Sequence, residues 1–338
     1  MNFITVDDRL SASQASRFID QGNQLIWQGD FQNAKQLLAA LKRRRKPFTA
    51  RTFQHYRNHQ ANQARRLNSL LIPLEDQYVV PLRRAPDIAQ PCEEAYGPST
   101  GPRLLPLREL LGVIGAHQLR RTGIAIPALK ARIHPHYGVF PPTRPEYVEL
   151  VASQPLPEAT VAFDIGTGTG VLAALLATQG AKVIATDTSS RAITCARDNL
   201  DRLDLADRVD LVHDDLFPPG RADLVVCNPP WIPARPISLL DQAVYDEDGR
   251  MLQGWINGLA DHLTPNGEGW LILSDLAEHL GLRSRSDLLA QFAQANLRVA
   301  GRASAVPRHR KANNRSDPLH WARAKEVTSL WRLKVMRS

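Results

Sequence analysis

Apolar and polar positions follow two different periods along this chain, and the change falls near residue 159. Before it, helical spacing dominates. Residues 11–27 and 30–45 each place apolar side chains on one helical face. The first opens at a Ser11 or Ser13 cap and the second at Asp30, after the Gly29 turn. A third helix is expected from about Thr49 to Leu71. Residues 73–106 then carry seven prolines, too many for a regular helix, and read as an extended connector with a short hairpin around Gln77-Tyr78-Val79-Val80. Helical character returns over 107–133, broken by glycines and Pro127.

From residue 159 onward, short apolar runs alternate with helical patterns. The strand candidates are 160–164, 182–186, 209–213, 223–227 and 268–273; the helices are 170–178, 189–203, 250–263 and 284–295. Runs this apolar are buried on both faces, which predicts an α/β domain built on a parallel sheet. Two late strand candidates, 297–305 and 327–336, have only a basic loop around Pro307–Lys325 between them. They read as an antiparallel hairpin added to the sheet. The expected division is a smaller, mainly helical, basic N-terminal domain over 1–133, serving substrate recognition, and a catalytic domain over 134–338.

Composition narrows the classes. No run of about 18 apolar residues occurs, so no membrane span is expected. Met1–Leu10 carries Asp7 and Asp8 and lacks the apolar stretch of a secretory leader. Three cysteines (Cys92, Cys195, Cys227) without CxxC spacing argue against a disulfide framework or a structural zinc, and fit a reducing cytoplasm. His134-Pro135-His136 could bind a metal but reads as an ordinary loop, the pair His55/His59 lacks a third ligand, and no metal is expected. The +8 net charge is unevenly spread: 20 Lys+Arg against 10 Asp+Glu over 1–140, 9 against 21 over 141–280, and 13 against 3 over 281–338. An acidic middle between basic flanks suggests a catalytic core with an anionic partner held from outside.

Two motifs carry the chemistry. Phe163-Asp164-Ile165-Gly166-Thr167-Gly168-Thr169-Gly170 joins a strand to a helix. Gly166, Gly168 and Gly170 allow the tight turn and the close approach of a ligand around Thr167. Gly168-x-Gly170-x-x-Ala173 also fits the relaxed dinucleotide fingerprint, so the glycines alone do not choose a cofactor. Asp164, two residues before the first glycine, suits a cationic amino-acid moiety better than a pyrophosphate. Asp187, ending the next strand, is placed to accept from ribose hydroxyls. The second motif, Asn228-Pro229-Pro230-Trp231, follows the strand Leu224-Val225-Val226-Cys227. A planar amino or amide nitrogen is a weak nucleophile because its lone pair is delocalised. It needs hydrogen-bond acceptors in fixed geometry as positive charge develops, and the Asn228 side chain with the Pro229 carbonyl supplies two. Pro229 and Pro230 stiffen the turn and remove competing donors. Trp231 offers a face for stacking and for cation–π stabilisation.

Together, in this order, the motifs resemble the class I S-adenosylmethionine (SAM) dependent methyltransferases that modify planar nitrogens. The resemblance implies a Rossmann-like seven-stranded sheet, SAM as cofactor, Asp164 at the methionine end, and Asp215 facing the adenine, with Asp214 as its neighbour and alternative. Arg144-Pro145-Glu146-x-x-x-Leu150-Val151 resembles the R-P-E-T-E-x-L-V segment of the HemK-type release-factor glutamine methyltransferases, whose motif is N-P-P-Y. Trp231 stands here for their tyrosine, and Tyr147 and Val148 for their Thr and Glu. The implied substrate is a translation-related macromolecule: a ribosome-associated protein glutamine, or an RNA base amino group contacted through the basic N-terminal domain and the 307–325 loop. Phe140 and Arg144, before the first sheet strand, are candidates for lining the substrate entrance. Other readings are a SAM-binding module without catalysis, or an enzyme acting on a small molecule or on DNA adenine.

Overall fold

A computed structural model describes residues 2–44, 48–156, 160–236, 240–308 and 314–336. Part of the basic run after Lys42 (45–47) and the centre of the basic loop (309–313) lie outside the described residues. Contacts divide the chain into Met1–Arg121 and Thr122–Ser338.

The first unit is more than helices. It holds β1 (Phe3–Val6), α1 (Ala12–Asp20), β2 (Gln24–Trp27), α2 (Phe31–Arg43), α3 (Phe53–Leu67), β3 (Leu70–Leu74), α4 (Ala89–Tyr96), β4 (Arg103–Pro106) and α5 (Leu107–Thr122). The four strands form one sheet in the order β1-β2-β3-β4, parallel except for β4. The helix expected over 11–27 stops early: Gly22 takes a left-handed φ of +88°, and the chain then re-enters as β2. The expected connector 73–106 contains regular structure because its prolines occupy permitted places. Pro73 lies in β3 beyond the last residue that pairs with β2, and Pro91 sits in the first turn of α4, where no backbone N–H is required. Around Gln77 there is a 3₁₀ turn, not a hairpin.

The second unit opens with a hairpin, β5 (Ile124–Ile126) and β6 (Ala131–Ile133), where helix was expected. It continues through α6 (Pro145–Ala152), β7 (Val161–Ile165), α7 (Val171–Thr178), β8 (Lys182–Asp187), α8 (Ser190–Arg202), β9 (Val209–His213) and β10 (Ala222–Cys227). Then follow α9 (Arg250–His262), β11 (Leu263–Ser274), α10 (Leu276–His279), α11 (Arg285–Gln294), β12 (Leu297–Ala305), α12 (His320–Arg323) and β13 (Thr328–Val335). Seven strands make one sheet in the order β12-β13-β11-β10-β7-β8-β9. β7, β8, β9, β10 and β11 are parallel, and β12 with β13 is the antiparallel hairpin.

Each strand of this sheet is apolar on both sides because helices cover both. β10 (Ala-Asp-Leu-Val-Val-Cys) sends Leu224 and Val226 into one core and Val225 and Cys227 into the other. α7 is apolar all round, and Val171–Ala177 are buried between sheet and neighbouring helices. From β7 the chain moves outward to β8 and β9, then returns to the other side of β7 as β10. That reversal opens a crevice at the carboxyl ends of β7 and β10, the place where open α/β sheets bind ligands.

Candidate active site

The crevice holds a cavity of about 370 Å³, within the range of small-molecule sites. Its walls come from the turn after β7 (Gly166, Thr167, Gly168), the end of β8 (Asp187), the loop after β9 (Asp214, Asp215) and the loop after β10 (Asn228, Pro229, Pro230, Trp231). Phe140 and Arg144 line it from the segment before α6, Tyr245 from the loop ahead of α9, Arg250 from the first residue of α9, and Arg323 from α12.

The glycine turn is held by main-chain and carboxylate bonds. Gly166 and Thr167 both donate their N–H to the Thr186 carbonyl at 2.9 Å. Gly168 N–H donates to Asp187 Oδ2 at 2.9 Å, and Ser189 N–H donates to Asp187 Oδ1 at 2.9 Å. At Gly168, with φ +56°, an added Cβ would meet nothing within 4 Å, so the backbone there is open to a ligand. At Gly170, with φ +78°, an added Cβ would come within 3.1 Å of the Ala196 Cβ, because α7 starts directly against α8.

Asp164 stands apart from the other aspartates. It does not line the cavity; it lies 1 % exposed beneath the turn. Its Oδ2 accepts from the Thr167 hydroxyl at 2.7 Å and from the Ala173 N–H at 3.0 Å. The carboxylate therefore braces the turn against the start of α7. Burial pushes its pKa up to about 6, against the lowering effect of those two bonds. Asp187 is also raised, chiefly by burial, with the Ser189 and Gly168 N–H groups pulling the other way.

Asp215 is at the rim, where Arg250 Nη2 stands 3.2 Å from its Oδ2. Both side chains are largely exposed. The loop carrying Asp215 is anchored by the Thr186 hydroxyl, which donates to the Leu216 carbonyl at 2.6 Å.

On the opposite wall, Trp231 Nε1–H donates to Asn228 Oδ1 at 2.9 Å. Indole nitrogen is a donor only, so the amide oxygen, not its NH₂, faces the ring. The Arg144 guanidinium lies 5.0 Å from the Trp231 ring centroid. One indole face expected to receive an acceptor is thus already covered by a cation. The rest of the ring is partly buried and packs on both apolar cores of the sheet.

Of the residues singled out from sequence, Gly166, Thr167, Gly168, Asp187, Asp215, Asn228, Pro229, Pro230, Trp231, Phe140 and Arg144 all line one cavity. Asp164 and Gly170 support it from behind. Sequence reasoning missed Tyr245, Arg250 and Arg323 as wall residues, and it gave no role to Glu326 behind Arg144. The odd signal was Glu326 itself, one of 3 acidic residues after position 280. The lining fits a ligand that carries a ribose: Asp187 faces the cavity and the Gly168 backbone is open. Among the described residues, no group of three or more His, Cys, Asp or Glu could hold a metal ion.

A sequence profile described as Methyltransferase small domain matches residues 130–300. A release factor glutamine methyltransferase of Moorella thermoacetica is 39% identical over 121 residues, 34% of this chain and 43% of that one. A ribosomal protein uL3 glutamine methyltransferase of Neisseria meningitidis is 35% identical over 118 residues, 34% of this chain and 36% of that one. The chain thus spans less than half the length of these two curated relatives. A solved methyltransferase structure from Pyrococcus furiosus aligns with a TM-score of 0.43 at 17% identity, over 68% of this chain and 99% of that one.

Proposed function

The chain belongs to the Methyltransferase small domain family, and on that premise we propose that it transfers the methyl group of SAM to the side-chain amide nitrogen of a glutamine in a protein of the translation machinery. The observation that carries this reading is the position of Asn228. Its amide stands at the carboxyl end of β10, across one cavity from the glycine turn and Asp187. The names of the matched relatives, both glutamine methyltransferases, supply the acceptor class.

When bound, SAM would supply a sulfonium-activated methyl group: its S–CH₃ bond would break as the N–CH₃ bond forms, with S-adenosylhomocysteine as the leaving group and the surplus acceptor proton passing to water. Asp187 would accept from the ribose hydroxyls, and the turn Gly166–Gly168 would hold the amino-acid end. Asp215 and Arg250 would border the adenine. Asn228 Oδ1 has one lone pair engaged by the Trp231 N–H and a second for an acceptor N–H. The Pro229 carbonyl takes the other. Holding both hydrogens turns the nitrogen lone pair toward the methyl and stabilises the charge that builds on nitrogen.

The partner in this reading is a ribosome-associated protein met in the cytoplasm, in keeping with three buried free cysteines. The basic segments touch neighbouring RNA. Between Asp30 and Glu75 the chain carries ten Lys and Arg and no acid. Lys42, Arg43, Arg44, Arg51 and Arg65 are exposed there. The test is transfer of label from tritiated SAM into an extract of cells lacking the enzyme, with Asn228→Ala protein as control. Label that protease releases and that maps to glutamine supports the reading. RNase-sensitive label replaces it with base methylation, and no label above the control favours a small-molecule acceptor or a binding module.

A further inference from the structure

We propose that Glu326 is a positioning residue for the Asn228 amide, acting through Arg144 and Trp231. This rests on the reading that Asn228 presents the acceptor nitrogen.

Glu326 precedes β13, 98 residues after Asn228 in the chain, and its side chain is fully buried. Its Oε1 accepts from Arg144 Nη1 at 2.8 Å and from the Ser274 hydroxyl at 2.8 Å. Ser274 ends β11, and its oxygen in turn accepts the Leu276 N–H at 3.1 Å. The residue next to Glu326 is fixed to the same strand end: Val327 N–H donates to Asp275 Oδ1 at 2.7 Å, and Asp275 N–H to the Val327 carbonyl at 3.1 Å. Glu326 is therefore an immobile anion at the end of the central sheet.

Arg144 is held by that anion and lies over the Trp231 ring. The side chain is 19 % exposed, and its guanidinium would otherwise have several orientations available. With the cation fixed, the indole is pressed between it and the apolar core, and its N–H points at Asn228 Oδ1. A free carboxamide presents oxygen and NH₂ about equally well. A donor-only partner leaves the oxygen as the group turned to the ring and its second lone pair as the acceptor. Four segments distant in sequence (the starts of α6 and β13, the end of β11 and the loop after β10) thus converge on one torsion angle. A second cavity, lined by Arg315, His320, Arg323 and Glu326, backs the pair. Arg144 lines the first cavity and Glu326 the second, so their bond stands between the two.

The test combines a spectroscopic readout with a rate cycle. The chain has 6 tryptophans, hence six indole N–H signals in a ¹⁵N spectrum, and Trp231→Phe identifies the one belonging to Trp231. Glu326→Met and Arg144→Gln are expected to move that signal and leave the other five in place, with SAM affinity within about twofold of the parent. In the labelled-extract assay, Trp231→Phe and Glu326→Met are each expected to slow transfer at saturating SAM about tenfold, the size of one lost hydrogen bond. The double variant should be no slower than either single one, since both break the same chain of contacts. Should Glu326→Met fail to fold, Arg144→Gln enters the same cycle. An unmoved Trp231 signal, or a double variant slowed about a hundredfold, overturns the role of Glu326. An Asn228→Ala protein that still transfers methyl overturns the reading of the site itself.

Discussion

The Trp231 indole N–H donates to Asn228 Oδ1 at 2.9 Å, so the amide that the proposed transfer turns to its acceptor is held in one orientation by a neighbouring side chain. Such preorganisation removes reorganisation from the chemical step, which is where fixed dipoles are most effective.

Asn228→Ala is expected to lower the transfer rate by about 10²–10³, the usual loss when one preorganised hydrogen-bonding group is removed. SAM binding, measured by calorimetry, should change by less than about threefold. A large loss of SAM affinity would place Asn228 in the cofactor site instead of the acceptor site.

Asp187→Ala should act the other way. Its carboxylate holds the Gly168 N–H and faces the cavity, so the brace on the turn is lost together with the acceptor proposed for the ribose. SAM affinity should fall about 10- to 100-fold, from two hydrogen bonds to a charged group. The rate at saturating SAM should stay within about fivefold.

Asp164 gives the chain a pH dependence. Its folded pKa of about 6 lies above the ordinary 3.8, so the fold binds this proton more tightly than the unfolded chain. The stability this proton brings is complete below pH 3.8 and is lost as pH rises through about 6. Asp164→Asn keeps an oxygen for Thr167 and Ala173 and has no charge to bury. The melting temperature of the variant minus that of the parent should therefore rise between pH 4.5 and 7.5, by the equivalent of about 2–3 kcal/mol at most. A difference that does not vary with pH would remove the buried charge from the account.

Gly170→Ala should destabilise the second unit by about 1–3 kcal/mol, read as a lower melting temperature. Left-handed backbone with a Cβ costs about 1 kcal/mol or more, and the methyl also meets Ala196 at 3.1 Å. Gly168→Ala, in open space, should cost only the backbone part.

The second unit of the fold was legible because its strands are buried on both faces. Strand 223–227 and helix 250–263 differ from β10 and α9 by one residue at one end. The first 121 residues were not, since four-residue strands such as Gln24–Trp27 carry too little pattern to stand out against the helices around them. Pro73 and Pro91 read as breakers, and only the pairing shows that neither position needs an N–H. In the site, the residues next to glycine and proline turns were identifiable from local chemistry. The Arg144–Glu326 pair was not, because the partners are 182 positions apart and only the meeting of α6 with the β13 hairpin unites them.

Every wall residue of the cavity falls between Gly138 and Arg323, inside the unit that begins at Thr122. Every group to which the proposed transfer gives a part is therefore written into one continuous stretch of gene, beginning after residue 121.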